Sequence, residues 1–238
     1  MIDKNDAIKS TATVQNTAII IPIYNTENHL EELFERITKF IPMTQIIVIN
    51  DASTDNSLDI CMQKKCHVIS FHRNKGKGAA LRAGFQKAIS LNFHFAFTID
   101  GDLQHEPESF PLFFEQQNKS QADLIIGCRD FRFSKMPFAR ICSNKITSFI
   151  VSLFIKKKIC DSQSGFRLYN LELIRYMKFN TNRYQFETEI LLKLAKKNAL
   201  ISSVKIKTIY QDEISYIRHG RDIRNFIKVV LDETIFGR

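Results

Sequence analysis

No apolar run in this 238-residue sequence approaches the ~18–20 residues that cross a bilayer. The longest are TAIIIPIY (17–24) and ITSFIVSLFI (146–155), so the expectation is a chain that is soluble or at most lies on a membrane surface. The first sixteen residues lack the basic-then-apolar pattern of a signal peptide. Cysteine is scarce and odd in number (61, 66, 128, 142 and 160), with no C-x-x-C pair. That argues against a disulfide framework or a zinc site and fits a reducing cytoplasm. Internal repeats, low-complexity tracts and linkers are missing too, which makes one continuous domain the simplest organisation. Tryptophan is absent altogether, which bears on no function.

What is present is an ordinary globular composition, 44% hydrophobic and 25% charged, long enough to bury a substantial core. The net charge of +9 is unevenly placed: residues 1–128 carry a net of −3 and residues 129–238 a net of +12. A basic second half suits a phosphate, an anionic membrane or a nucleic acid, and charge alone does not choose among them.

The first half alternates between two periods. Short apolar runs at 17–24, 45–50, 67–71, 93–100 and 122–127 read as buried strands. Between them, Leu30, Leu33, Phe34 and Ile37 form one amphipathic stripe, with Asn28 and Glu31 as a capping pair. STDNSLDICMQ opens a second helix, and Leu81, Phe85 and Ile89 share a face of a third. This pitch predicts an α/β fold with a mainly parallel sheet flanked by helices, whose ligands bind at the carboxyl ends of the strands. Asp51 and Asp100 both fall at such ends. The second half predicts a helix at 143–156, a polar loop CDSQSGFRLYN, a helix at 186–197, a strand at 200–209 and a C-terminal amphipathic helix. In that last helix Ile223, Phe226, Ile227, Val230 and Leu231 make the stripe, with Arg221, Arg224 and Lys228 off it.

Several segments carry chemistry. In FTIDGDLQHEP (97–107), Gly101 is expected to let the chain turn, and the flanking Asp100 and Asp102 can hold a hard divalent cation that bridges diphosphate oxygens. Asp51, in INDASTD, can accept hydrogen bonds from the ring N–H of a uracil or guanine, while Ser53, Thr54 and Asp55 read as a helix cap. NKGKGAALRAG (74–84) is neither a Walker A nor a G-x-G-x-x-G loop. It is either a phosphate cradle at a helix start or a plain glycine turn, with Arg82 a solvated residue. Pro22 in IPIYN would end strand pairing, and Tyr24 could pack on a nucleotide. Arg129 and Arg132, past the fifth strand, suit bidentate binding of an acceptor phosphate. Asp161 is the candidate base or acceptor-orienting carboxylate, and Arg167 a candidate to neutralise phosphate. Of Glu187 and Glu189, which face differently on a helix, one would reach sugar hydroxyls and the other is a solvated helix-start acid.

Taken in order, IPIYN, INDASTD, NKGKGAALRAG, DGDLQH, DSQSGFRLYN and YQFETEILLKLAKK resemble the family 2 glycosyltransferases of GT-A fold. The likeness is to the branch containing dolichyl-phosphate mannose synthase and bacterial polyprenyl-phosphate glycosyltransferases, and it covers about residues 17 to 210. The resemblance implies a GT-A domain over 17–210, with a nucleotide-sugar half (17–128) and an acceptor half (129–210), between a flexible N-terminus (1–16) and a basic C-terminal helix (211–238). It implies that Pro22, Tyr24, Asp51, Lys77, Asp100 and Gly101 meet the nucleotide sugar, and that Asp100, Asp102 and Gln104 bind Mg2+ or Mn2+, with His105 a bystander. Arg129, Arg132, Ser164 and Arg167 would meet the acceptor phosphate and Glu187 the sugar, with Asp102, Asp161 and Arg129 as the catalytic set. Two departures stand out: Asn50 where many relatives carry an acid, and Thr26 where they often carry Glu.

The activity so implied is inverting transfer of a hexose from a UDP- or GDP-sugar to polyprenyl phosphate, at the cytoplasmic face of a membrane. A same-fold enzyme acting on a soluble or cell-envelope glycan is the enzymatic alternative. A basic nucleic-acid or membrane-binding module is the distant one. Against nucleic acid, the basic residues are not interleaved with stacking aromatics and no zinc-finger spacing occurs.

Overall fold

The computed structural model describes residues 11–130, 138–207 and 226–233. Arg132, Arg221, Ile223 and Arg224, and residues 1–10 of the expected flexible N-terminus, lie outside the described residues. Strands β1 (Thr17–Ile23), β2 (Ile46–Asn50), β3 (His67–Ser70), β4 (Phe95–Thr98), β5 (Leu124–Arg129), β6 (Arg167–Asn170) and β7 (Ile201–Ile206) form one sheet in the order β3-β2-β1-β4-β6-β5-β7. All neighbours are parallel except β6, which runs antiparallel to both β4 and β5. Helices α1 (Glu27–Thr38), α2 (Ser57–Met62), α3 (Lys77–Ser90), α4 (Phe110–Ser120), α5 (Phe138–Ile155), α6 (Leu171–Ile174) and α7 (Phe186–Lys196) complete the layers.

The sheet is buried on both faces because its strands are apolar at consecutive positions. In β1, Ile19, Ile21 and Ile23 pack with Leu30, Leu33, Phe34 and Ile37 of α1, whereas Ala18 and Ile20 pack with Ala80, Leu81 and Phe85 of α3. Side chains of a strand alternate between faces, so one run of isoleucines serves two cores. Phe97 anchors the first core, its ring centroid 4.6 Å from Phe110 and 5.3 Å from Phe113. This is the α/β architecture that the alternation predicts.

Four local expectations fail. The stretch predicted as a polar loop contains β6: Arg167 and Tyr169 face one side and Leu168 the other, and the strand wedges between β4 and β5. Pro22 does not end β1, since it stays in register with Ile49 of β2. Carbonyls of Ile20 and Ile23 point to opposite neighbours, accepting from Ile99 and Asp51 respectively. Pro22 therefore turns its missing N–H toward the β4 side, past the last β1–β4 pair, Ile20 and Thr98. Asn28 and Glu31 are not a capping pair either. Helix α1 begins at Glu27, whose N–H donates to Asp55 Oδ2 at 3.1 Å, so the cap comes from the next loop. Finally, the structure joins Cys128 and Cys160 in a disulfide, with Cα atoms 5.8 Å apart, and leaves Cys61, Cys66 and Cys142 free. Cys128 lies one residue before the end of β5 and Cys160 in the segment leading to β6, the neighbour of β5, so pairing follows from strand insertion rather than from sequence spacing.

Candidate active site at the carboxyl ends of the strands

The loops after β1 and β2 clip together. Asn25 N–H donates to Ser53 Oγ at 3.0 Å, Thr54 N–H to Asn25 Oδ1 at 2.8 Å and Thr26 N–H to Ser57 Oγ at 2.9 Å. Asp55 does cap α2 through Ser57 N–H at 3.0 Å. Ser53 and Thr54 instead hold the neighbouring loop, which differs from the expected local cap. Asn25 and Ala52 both take positive φ, 53° and 62°, conformations that cost an alanine about 1–2 kcal/mol. The exposed Tyr24 stands on this clipped rim.

Asp51 faces the start of α3. Its carboxylate accepts Lys75 N–H at 2.6 Å and Gly76 N–H at 2.8 Å. Gly76 has φ 92°, and a Cβ there would lie 2.6 Å from the Asn182 carbonyl oxygen. The N–H groups just before this helix, which could read as a phosphate cradle or a plain glycine turn, are thus taken by the chain's own carboxylate. Arg82 is not a free surface residue: it donates to Phe179 O at 3.0 Å and to Asn182 Oδ1.

Lys77 projects into the crevice, its Nζ 2.6 Å from Asp100 Oδ1, 2.9 Å from Oδ2 and 3.0 Å from Glu187 Oε1. Burial alone would raise Asp100, but the Lys77 charge and hydrogen bonds hold it below the usual carboxylate range. Burial pushes Glu187 up, against the pull of Lys77 and Arg167. Lys77 itself would be lowered by burial, yet the two carboxylates hold it above the ordinary lysine value. Gly165 makes room for this cluster, since a Cβ there would sit 2.5 Å from Asp100 Oδ2 and 2.8 Å from Lys77 Nζ.

In the turn after β4 the left-handed residue is Leu103 (φ 56°), not Gly101. Gly101 instead sits at a close approach, as a Cβ there would fall 3.1 Å from Ile23 Cγ2. Asp102 is half-buried and accepts Gln104 N–H at 3.1 Å. Among the described residues no cluster of three His, Cys, Asp or Glu side chains is placed to hold a metal. The local donor set is two carboxylates and the Gln104 carboxamide. Hard oxygen donors of this kind fit a divalent cation such as Mg2+ or Mn2+.

A second ionic cluster lies across β5 and the segment before β6. Arg129 Nε donates to Asp161 Oδ2 at 2.6 Å and Nη2 to Oδ1 at 3.0 Å. Asn144 Nδ2 at 3.0 Å and Gln163 N–H at 3.2 Å also donate to Asp161 Oδ1. Burial would raise this carboxyl, but the hydrogen bonds and charge of Arg129 keep it lowered. His105, called a bystander by the motif reading, is buried between the two clusters, its ring centroid 5.6 Å from that of Phe166. Burial pushes it down to about 4, against Asp100, while Arg129, Lys77 and Asp161 also act on it. Its Nδ1 has no hydrogen-bond partner among the described residues.

Two expectations on the second half are corrected. Arg167 is fully buried and donates to the carbonyls of Ser164 (2.7 Å), Ser162 (2.7 Å) and Glu187 (2.9 Å), so it braces the loop and is shielded from any acceptor phosphate. Ser164 is likewise buried, its Oγ without a partner among the described residues. Glu189 is not solvated: it accepts Asn180 N–H at 2.7 Å and Thr181 N–H at 2.9 Å and pairs with Lys193 at 3.1 Å. A sequence with Glu187 and Glu189 at a helix start carries no sign that both are inside, because the 180–185 segment folds back over them.

The family model "Glycosyl transferase family 2" matches residues 18–177. Among curated relatives, a UDP-N-acetylglucosamine–dolichyl-phosphate N-acetylglucosaminyltransferase of Methanococcus voltae is 29% identical over 82% of this chain and 86% of its own. A dolichol-phosphate mannosyltransferase of Pyrococcus furiosus is 29% identical over 85% of this chain and 62% of its own. Among solved structures, glucosyl-3-phosphoglycerate synthase from Mycobacterium tuberculosis, in complex with Mn2+ and UDP-glucose, superposes with a TM-score of 0.76 at 17% identity. That match covers 94% of this chain and 84% of the other. The strand-end crevice, the order of its motifs and the family match agree: the chain belongs to glycosyl transferase family 2.

Proposed function

We propose that this glycosyltransferase moves a hexose from a nucleoside diphosphate sugar to polyprenyl phosphate, with inversion, at the cytoplasmic face of a membrane. The observation that carries this reading is the pair of ionic clusters flanking His105, one built on Lys77, Asp100 and Glu187, the other on Arg129 and Asp161. The first suits a donor diphosphate and its sugar, the second an acceptor phosphate. Activities named for the relatives from Methanococcus voltae and Pyrococcus furiosus, both on dolichyl phosphate, favour a lipid acceptor.

In this reading Asp51 shapes the loop at Lys75 and Gly76, and Pro22, Tyr24 and Gly101 line the nucleotide side. Asp100, Asp102 and Gln104 would hold a divalent cation, which when bound supplies neutralisation of charge on the departing nucleoside diphosphate. Lys77 adds a fixed positive charge on the same side, and Glu187 meets sugar hydroxyls. Asp161 holds the Arg129 guanidinium in a fixed fork for the acceptor phosphate. Its lowered, saturated carboxylate is suited to orientation rather than to proton abstraction. A lipid phosphate is already anionic at neutral pH, so catalysis rests on positioning and on stabilisation of the leaving group.

The test is a panel of UDP- and GDP-hexoses with polyprenyl phosphate and Mg2+ or Mn2+, scored for nucleoside diphosphate release and glycolipid. Glycolipid formed from one donor supports the reading. Transfer confined to water-soluble glycans would sink it.

A further inference from the structure

Residues 131–160 contain seven Lys or Arg and no Asp or Glu, and most of this stretch is α5. The inner face of the helix is polar where it meets the acceptor cluster. Asn144 donates to Asp161, Ser148 Oγ accepts Ser162 N–H at 2.8 Å, and Ser152 Oγ accepts Ile159 N–H at 2.9 Å. The outer face is the reverse of a normal solvated surface. Ile146, Phe149, Leu153 and Phe154 are 59%, 64%, 62% and 46% exposed, at the i, i+3, i+7, i+8 spacing that puts them on one stripe. They are a third of all the exposed large apolar and aromatic side chains among the described residues, gathered in little more than two turns. Lys145 and Lys156 to Lys158 border a shallow groove of about 520 Å³ that runs along Phe149 and Leu153 to Cys160. Next to α5, helical residues 226–231 pack through Phe226, Val229 and Val230 and leave Ile227, Lys228 and Leu231 exposed.

We infer that the outer face of α5 docks the enzyme onto an anionic lipid surface, apolar side chains entering the acyl boundary and lysines meeting headgroups. Charge complementarity selects this occupant. A second copy packed face to face would set Lys145 and Lys156 to Lys158 against their own equivalents, whereas anionic headgroups neutralise them. No described helix is long and apolar enough to cross a membrane, so the helix lies along the surface. The inference rests on the proposed function in one respect: the same helix that docks outward fixes Asp161, and through it Arg129, inward. A lipid phosphate leaving the headgroup plane would then meet a guanidinium positioned by the docking element itself.

The test is co-sedimentation of the full chain with phosphatidylcholine vesicles, alone or mixed with phosphatidylglycerol, for wild type and two double variants. Phe149→Ser/Leu153→Ser removes apolar surface. Lys156→Ser/Lys158→Ser removes charge and spares Lys157, whose Nζ donates to Ala199 O. Wild type is expected to partition at least thirtyfold better onto mixed vesicles. The charge variant should lose roughly thirtyfold of that, at ~1 kcal/mol per lysine, and the apolar variant at least tenfold, with thermal melts unchanged. Transfer to vesicle-borne polyprenyl phosphate should fall in parallel, while transfer to a water-soluble short-chain prenyl phosphate stays at the wild-type rate. Undiminished partitioning of both variants overturns the inference. So does a dilute-solution dimer, seen by sedimentation velocity, that either variant dissociates. If partitioning behaves as expected but no prenyl phosphate is glycosylated, the docking surface stands and the acceptor reading fails.

Discussion

Arg129 and Asp161 meet in a two-pronged ion pair, 2.6 and 3.0 Å, with the carboxylate fully buried and the guanidinium mostly so. Removing the charge of one partner inside a protein leaves the other uncompensated, at about 3–5 kcal/mol. Asp161→Asn should therefore lower the unfolding free energy by about 3 kcal/mol in urea titration. It should also raise the KM for the lipid acceptor at least tenfold, with the donor KM nearly unchanged. The folded pKa of Asp161 lies below its unfolded value. Its contribution is therefore complete above about pH 4 and is lost as pH falls through the lower folded value. In Asp161→Asn that acid-side loss should disappear.

His105 titrates in a different window. Its folded pKa of about 4 lies below the unfolded value near 6.5. Below pH 6.5 the unfolded chain binds a proton that the folded chain refuses, so stability declines between about pH 6.5 and 4, by roughly 3 kcal/mol in total. Melting in the presence of a chelator should show this slope in wild type. His105→Gln should flatten it, and a slope unchanged in that variant would mean the imidazole is not the group responsible.

Gly165→Ala tests the room left for the Lys77–Asp100 pair. The added methyl would sit 2.5 Å from Asp100 Oδ2, so the ion pair has to move. The expected result is a loss of about 1–3 kcal/mol in stability and a fall in turnover of at least tenfold. Wild-type turnover would show that the pair can shift without consequence.

Asp102→Ala addresses the cation. Asp102 is only half-buried, so the melt should change by no more than about 0.5 kcal/mol. Metal-dependent sugar transfer should drop by about a hundredfold or more, and tryptic protection conferred by Mn2+ together with a nucleoside diphosphate should vanish. Full activity in this variant would refute the metal role.

The Cys128–Cys160 bond joins residues that immediately precede Arg129 and Asp161. Closing a 32-residue separation should stabilise the fold by about 2–4 kcal/mol. Cys160→Ser, or reduction of wild type by dithiothreitol, should each remove that amount in denaturant titrations. The two effects should not add.

How far the site was readable from sequence differs from residue to residue. Asp51 and Asp100 follow apolar runs, and any parallel sheet carries residues at strand carboxyl ends to one crevice. Lys77 entered through a motif, and the structure pairs it with Asp100 and Glu187 in the crevice. Arg167 and Glu189 are buried where the sequence shows no sign of it. Whether such a charged side chain is inside depends on carbonyls or amides of the loops that fold around it. For Arg167 those are Ser162, Ser164 and Glu187; for Glu189 they are Asn180 and Thr181. β6 was missed because four residues with an arginine and an asparagine show no apolar run.

Local periodicity, then, determined the α/β class, the helices from α1 to α3 and the strands that lead into Asp51 and Asp100, because hydrophobic spacing expresses itself within a single element. It also determined the basic, acid-free stretch around α5. Tertiary structure alone decided which of those charges pair. Inserting β6 antiparallel between β4 and β5 brings Gly165 to Asp100 and Lys77, Asp161 to Arg129, and Cys160 to Cys128. An ion pair between residues 32 apart in the chain depends on a strand order that no local pattern encodes.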